Sequence, residues 1–317
     1  MLPQLSQLFS GLQSALDPGS PQARAIAQLS WIMFAGAAAI FLLVMLFLAW
    51  ALWAPAPRRR WLANRSVVVA GGIAFPIVVL TALLVYGLLL ARDIVAEPQK
   101  EALQVHVVGE QFWWRVRYRD GAGVVETANE LHIPVGRPVR LSLTTADVIH
   151  SFWVPGLGGK LDMIPGQTNT LTLTADRPGV YRGQCAEFCG AAHALMAFDV
   201  VAHAPEAFAA WLRAQAEPAR DSIFPLEQRG RALFLASGCG ACHVVRGTAA
   251  AGRLGPDLTH VGSRRTIAAG TYPNNKGTLA GWIADSQHLK PNNKMPSFDV
   301  LAGEDLRAIA SYLASLR

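Results

Sequence analysis

Between residues 181 and 196 the chain reads Y-R-G-Q-C-A-E-F-C-G-A-A-H-A-L-M, which brings Cys185, Cys189, His193 and Met196 into one short stretch. Two thiols, an imidazole and a thioether make a soft-metal donor set. Such donors select copper or zinc among the common metals, and zinc rarely accepts a thioether, so Met196 points to copper. Two cysteines spaced C-x-x-x-C can each bridge a pair of copper ions, leaving terminal positions for imidazoles and weak axial ligands. The stretch supplies one imidazole only. His150, in D-V-I-H-S-F-W-V-P at the end of an apolar strand-like run, is the candidate for the second. A short disulfide or half of a zinc site is the alternative for C-x-x-x-C alone, and it gives His150, His193 and Met196 no task.

A second chemical motif lies downstream. Cys239-Gly240-Ala241-Cys242-His243 is C-x-x-C-H, the attachment signature of a c-type haem. Both thiols can form thioethers to porphyrin vinyl groups, and His243 follows at once to reach the iron. Asn293-Lys294-Met295-Pro296 offers a thioether as sixth ligand, and a Met/His pair raises the haem potential. The alternative, a thioredoxin-like redox pair, has no βαβ pattern around it and leaves His243 unexplained. The two motifs use all four cysteines, so no thiol remains for a structural disulfide.

These residues need elements to hold them. The 317 residues suggest two or three domains by length. A chain 52% hydrophobic and only 16% charged is oilier than a soluble protein, which averages about 25% charged, so part of it belongs in lipid. The net charge of +6 comes from basic ends around a slightly acidic middle. No basic stripe interleaves with exposed aromatics, which excludes a nucleic-acid binder. Residues 1–24 lack the basic start and compact apolar core of a cleavable signal peptide and read as an exterior segment. Residues 25–53 and 66–91 carry no charge, and each exceeds the ~20 residues that cross hydrocarbon as a helix. Residues 25–95 are therefore expected to be a transmembrane helical hairpin, with Pro76 kinking its second helix. Arg58, Arg59, Arg60 and Arg65 make the connecting loop basic, which puts it in the cytoplasm and both termini outside. Trp50, Trp53 and Trp61 suit an aromatic belt at that boundary.

Beyond Arg92 the pattern turns to short alternating segments. Phe112, Trp114, Val116 and Tyr118 alternate with Trp113, Arg115, Arg117 and Arg119, predicting a strand with one buried and one wet face. Asp120-Gly121 reads as its hairpin turn. Further alternation through Val139, Leu141, Leu143 and Leu171, Leu173 predicts a β-sandwich or barrel over 96–213. Residues 214–225, with two prolines, read as a linker to a domain over 226–317.

Together these motifs resemble cytochrome c oxidase subunit II with a fused C-terminal cytochrome c domain, the caa-type arrangement of bacterial haem-copper oxidases. The resemblance implies a multidomain fold: a two-helix transmembrane hairpin, a cupredoxin-like Greek-key β-sandwich and an all-α class I cytochrome c domain. It also implies a binuclear copper A centre. Cys185 and Cys189 would bridge the metals, His150 and Met196 would complete one copper, and His193 with the carbonyl of Glu187 the other. Haem c would be held by Cys239, Cys242, His243 and Met295. Pro256 in G-P-D-L resembles the residue whose carbonyl holds the axial histidine. Gly230 with Phe234, and Tyr312 with Leu313, resemble the crossing of that family's first and last helices.

The function so implied is that of the subunit through which electrons enter a terminal oxidase, passing from a donor by way of haem and copper to subunit I, where O2 becomes water. The donor would be cytochrome c or a cytochrome bc complex, and the redox domains would face the periplasmic side of a bacterial inner membrane. Glu187 would also offer its carboxylate to magnesium at the contact with subunit I, with Asp147 and Asp162 near the same contact. Three positions depart from the family pattern. Phe112 replaces a tryptophan used as the docking point for a soluble donor, which makes Trp113 the candidate electron path; Val69 replaces a proton-linked glutamate; Gln167 replaces an arginine. His106, His132, His203, His260 and His288 have no partner motif and read as structural or solvated, and Met163 as packing. A copper A subunit of nitric oxide reductase or a free-standing membrane-anchored carrier are the neighbouring alternatives. Nitrous oxide reductase lacks the helical hairpin, and quinol oxidase lacks the cysteines.

Overall fold

A computed structural model describes residues 11–95, 102–120 and 123–317. The chain divides into two compact units, one of residues 22–97 and one of residues 98–317 with the N-terminal residues up to Pro21.

The first unit is helical. Helix α1 spans Pro21–Trp53. After a capped start at Asn64, whose side chain accepts from the Ser66 N–H, a second helix runs through Arg65–Val69, a π-helical turn at Ala70–Ala74, and α2, Phe75–Val95. Both carry 18-residue windows of mean hydropathy 2.7 and 2.6 with none of the window buried. Helices apolar all round and packed into no core require a lipid solvent. The irregularity expected at Pro76 takes the form of the π turn. Proline lacks the N–H that would bond one turn back, and its ring crowds the carbonyl of Gly72, so the backbone widens there.

The second unit contains a sandwich of two five-stranded sheets. One has the order β3 (Gly123–Ala128), β2 (Trp113–Asp120), β1 (Leu103–Glu110), β5 (Val139–Thr145) and β8 (Asn169–Leu173). The other has the order β4 (Glu130–Pro134), β10 (Ala197–His203), β9 (Gly179–Cys185), β6 (His150–Trp153) and β7 (Leu161–Met163). β1 pairs parallel with β5 and β4 with β10, so the connections cross between sheets, as in a cupredoxin. Alternation does the sorting: Trp114, Val116 and Tyr118 point inward with Leu141 and Leu143, against Phe152, Phe198 and Val200 of the other sheet. The Trp114 ring meets Phe152 edge-on at 5.9 Å and Phe198 at 4.9 Å, joining the sheets. Gly183 is required beneath that cluster, because a Cβ there would lie 2.2 Å from the Phe198 ring. Strand pairing closes with Asp120 opposite Gly123; the expected turn residue Gly121 lies outside the described residues.

One expectation needs revision. Arg115, on the face expected to be wet, is buried at 5% exposure, because the helical part of the unit covers it. Its guanidinium bonds Glu110 and Glu126, both at 2.6 Å, and the Arg253 carbonyl at 3.0 Å. The segment before α1 is tied to the sandwich: Gly19 N–H donates to the Gly156 carbonyl, and Arg182 N–H to that of Leu12. The segment expected to be a linker, 214–225, starts within the end of helix α3, Pro205–Ala216, and its first residues are held. Arg246 donates to the carbonyls of Gln215 and Ala216 at 2.6 and 2.9 Å, and its own carbonyl accepts from Ala219.

The C-terminal part packs α4 (Pro225–Ala236), α5 (Lys276–Ala284) and α6 (Gly303–Ser315) around an apolar cluster. It departs from all-α by a ribbon of two short strands, β11 (Thr266–Ile267) with β12 (Tyr272–Pro273), and by a bridge between Val244 and Ala251. α4 crosses α6 at Gly230, where a Cβ would stand 2.0 Å from the Ala308 carbonyl oxygen. The Phe234 and Tyr312 rings, 5.8 Å apart, fill the adjoining space. Gly230→Val is therefore expected to cost at or above the ~1–3 kcal/mol of an overpacked core, with a matching fall in Tm. Gly281→Ala in α5, where nothing lies within 4 Å of the added carbon, should leave Tm unchanged or raise it slightly in the same calorimetric scan.

Candidate functional site

The end of the sandwich where β9 stops and β10 starts gathers the soft donors. Cys185 is the last residue of β9, His150 the first of β6, and Met196 immediately precedes β10. Between Cys185 and Met196 the chain loops through Gly190, whose φ of +127° favours glycine, and a turn of 3-10 helix at His193–Leu195. The Cys185 and Cys189 sulfurs are 3.8 Å apart. Cys185 Sγ lies 3.7 Å from His150 Nδ1 and 3.3 Å from the Glu187 carbonyl oxygen. Cys189 Sγ lies 3.5 Å from His193 Nδ1 and 3.8 Å from Met196 Sδ. His150, Cys185, Cys189 and Met196 are all buried, and His193 is half-buried. Every residue expected from sequence as a donor here is thus brought into one linked cluster.

Backbone and second contacts hold the loop. Cys185 N–H donates to the Met196 carbonyl at 2.9 Å, and the Gln111 side-chain amide to the Cys189 carbonyl at 2.7 Å. Asp147, expected at an outer contact, instead bonds His150 Nε2 at 2.9 Å through one carboxylate oxygen and accepts from Gln111 N–H at 2.8 Å through the other. A carboxylate orienting a ligand imidazole is the usual support of a metal site. The signal was present in the D-x-x-H spacing; that of Gln111, a distant residue, was not. Burial disfavours ionised Asp147, yet bonds from Gln111 and His150 outweigh it and lower its pKa; burial likewise opposes His150 protonation, which Cys185 and Asp147 restore.

The thiols are unequal. The hydrogen bond with Cys189 draws the Cys185 thiol well below the usual range despite burial, and the same bond together with burial pushes Cys189 up. One proton alone leaves easily, since two buried anions this close repel. A cation between the sulfurs removes that penalty, so the donor set fits a soft metal, and the thioether favours copper. Outside the cluster the Glu187 carboxylate pairs with Lys160 at 3.4 Å, and Lys160 also meets Asp162 at 3.5 Å. Phe188, 76% exposed, sets its ring against His193.

The C-x-x-C-H motif forms a turn, Cys239–Ala241, entered through Gly238 at φ +78°. His243 Nδ1 is 2.8 Å from the Pro256 carbonyl, which can only accept, so Nδ1 carries the proton and Nε2 is left as the free donor atom. Gly255 gives the ring space, since a Cβ there would come within 2.5 Å of it. Burial lowers the His243 pKa, which keeps the imidazole neutral. Met295 packs on the same apolar cluster as Cys239, its backbone fixed by Asn293, Ser286 and Gln287. Arg264 donates to the Asp257 carbonyl, beside Pro256, while its buried Nε has no partner, nor has Thr266 Oγ1. The orphaned Nε–H of Arg264, whose guanidinium bonds the residue next to Pro256, fits an anionic group such as a haem propionate, and the cradle around His243 fits a haem.

Phe112 is buried, and Trp113 is half-buried under the Arg115 guanidinium, 4.6 Å from its ring. Of the remaining histidines, His106 bonds Thr144, His132 bonds His203 and Glu130 under the Trp211 ring, His260 bonds the Glu217 carbonyl, and His288 is exposed. Met163 is packing, as expected.

Residues 120–203 match the family described as cytochrome c oxidase subunit II, periplasmic domain, and residues 227–317 match cytochrome c. The chain is 38% identical over 243 residues to cytochrome c oxidase subunit 2 of Alkalihalophilus pseudofirmus, covering 76% of this chain and 70% of that one. It is 34% identical over 228 residues to the protein of the same description from Bacillus subtilis, covering 69% and 63%. A crystal structure of the periplasmic domain of subunit II of cytochrome oxidase from Bradyrhizobium japonicum covers 38% of this chain and 96% of its own, at 31% identity and a TM-score of 0.36. From the geometry, Asp147→Ala is expected to weaken copper binding roughly 10–100-fold, measured by titration against a competing chelator.

Proposed function

The chain belongs to the cytochrome c oxidase subunit II family, and from its two sites we propose that it is the membrane-anchored subunit through which electrons enter the oxidase. They would arrive at a haem c, continue to copper A and leave for subunit I, where O2 is reduced to water. The observation that carries this reading is the convergence of Cys185, Cys189, His150, His193, Met196 and the Glu187 carbonyl from separate segments on one buried point.

When bound, the copper pair and the haem supply one-electron carriers; the chain supplies their frame. Cys185, Cys189, His150, His193, Met196 and the Glu187 carbonyl would hold the copper pair. Burial excludes water from the sulfurs, and strands on a packed sandwich keep the donors still, so little has to rearrange when charge changes. Asp147 orients the His150 imidazole. Cys239 and Cys242 would take the haem vinyls, His243 and Met295 the iron, with the Pro256 carbonyl setting the tautomer. Glu187 would turn its carboxylate from Lys160 to magnesium at the contact with subunit I. Trp113 would serve as an electron path, in place of the docking residue that Phe112 substitutes.

In this reading residues 96–213 and 226–317 lie on the periplasmic side of a bacterial cell membrane and the basic loop around Arg58 and Arg60 on the cytoplasmic side. The donor is cytochrome c or a cytochrome bc complex. Metal analysis of the purified holoprotein is expected to give two coppers per haem iron, and a polytopic haem-bearing subunit should copurify. Zinc, or one copper per iron, overturns the assignment. Met295→Leu should lower the haem potential in a redox titration while the copper absorption stays as in the parent.

A further inference from the structure

One buried ammonium lies where the sandwich and the helical part meet. Lys290, only 2% exposed, donates to the carbonyls of Phe112 at 2.7 Å, Leu195 at 2.8 Å and Ala268 at 2.9 Å. An ammonium has three N–H donors, and here each finds an oxygen, which is the condition for burying a lysine. The three acceptors come from places that matter. Phe112 follows Gln111, which holds the Cys189 carbonyl; Leu195 precedes Met196; Ala268 belongs to the turn of the β11–β12 ribbon.

The loop that carries Lys290 is also the loop that delivers Met295. The Lys290 carbonyl accepts from the Asn293 side chain, and Asn293 in turn accepts from the Met295 N–H at 2.8 Å. Its neighbour Lys294 reaches Asp147 at 3.2 Å, on the carboxylate that orients His150. The ribbon turn closes the same seam: Ala197 N–H donates to the Ala269 carbonyl at 3.0 Å, and Arg182 to that of Gly270 at 2.9 Å. Gly270, at φ +75°, has no room for a side chain, since a Cβ would lie 3.1 Å from that of Ala197.

We propose that Lys290, seconded by Lys294, is a docking clamp that locks the loop bearing Met295 onto the loop bearing Met196. It is made of protein atoms alone and so is present before any group is bound. It acts as a positioning residue: it holds two one-electron sites at a fixed separation without touching either. That role rests on the reading of the two sites as haem and copper; the clamp itself does not.

The test uses the full chain in detergent with Lys290→Met, which keeps the length of the side chain and removes its three donors. Both absorption spectra should persist. After rapid mixing with a reductant, one electron leaves the haem iron as one enters the copper pair, and this transfer should slow about tenfold or more and become dependent on salt. Hydrogen exchange at the Ala197 amide should rise about tenfold to a hundredfold, the factor expected when a bond to a charged donor is lost. Unchanged transfer overturns the proposal even if exchange rises, because Lys290 then serves packing only; unchanged exchange overturns it as well. Should Lys290→Met not fold, Lys294→Gln, at a side chain 70% exposed, decides the matter: transfer about two- to fivefold slower supports the clamp, and transfer at the parental rate overturns it. A parent chain found without haem and copper removes the sites proposed above, while Ala197 exchange in that same chain still decides whether the clamp exists.

Discussion

Two thiols 3.8 Å apart in a buried pocket cannot both give up their protons unless a cation takes the protons' place. Much of the surrounding structure follows from accommodating that pair. Cys185 ends β9, so its backbone is fixed by a sheet, and Cys189 follows in a loop whose carbonyl the Gln111 side chain holds. The Met196 carbonyl accepts from Cys185 N–H, which ties the last donor of the loop to the first. Gly109 keeps its Cβ out of the way of the His150 ring, which it would meet at 2.8 Å. Asp147 fastens that ring from behind. A site built this way changes charge without moving its ligands, which is the requirement for carrying single electrons quickly.

Charge also explains how the sandwich and the helical part come to share one compact unit. Two buried acidic residues of the sandwich sit at the seam: Glu130 accepts from the Arg265 N–H, and Asp199 lies 3.4 Å from the Arg265 side chain. Burial raises the Asp199 pKa, with Glu130 adding to it and Arg265 opposing. Arg115 turns the same logic around, since its guanidinium is sandwich-borne and reaches the Arg253 carbonyl of the helical part. Buried charged groups of the sandwich thus find partners on the helical part. Buried charges of this kind specify one docking geometry, because each leaves a costly orphan if the partner shifts.

The anchor and the redox parts obey different solvents. Helices α1 and α2 expose leucine and phenylalanine all round, where lipid is the partner, whereas the sandwich hides the same residue types between its sheets. That contrast needs no tertiary information, because long uncharged runs and period-two alternation differ in the sequence itself.

The sequence by itself determined the donor types at both sites, the two apolar helices, and the inward and outward faces of β2 apart from Arg115. Each is set by local spacing or by a residue's own chemistry, so each is visible in a single strand of text. Only the tertiary structure decided that Gln111 steadies Cys189, that Arg115 and Lys290 are buried, and that the segment after α3 is pinned by Arg246. Those contacts join residues far apart in the chain or turn a polar side chain against its expected solvent. Gln111 meets Cys189 where the two sheets of the sandwich pack, and the others form where one domain closes over another, which no periodicity within a strand or helix encodes.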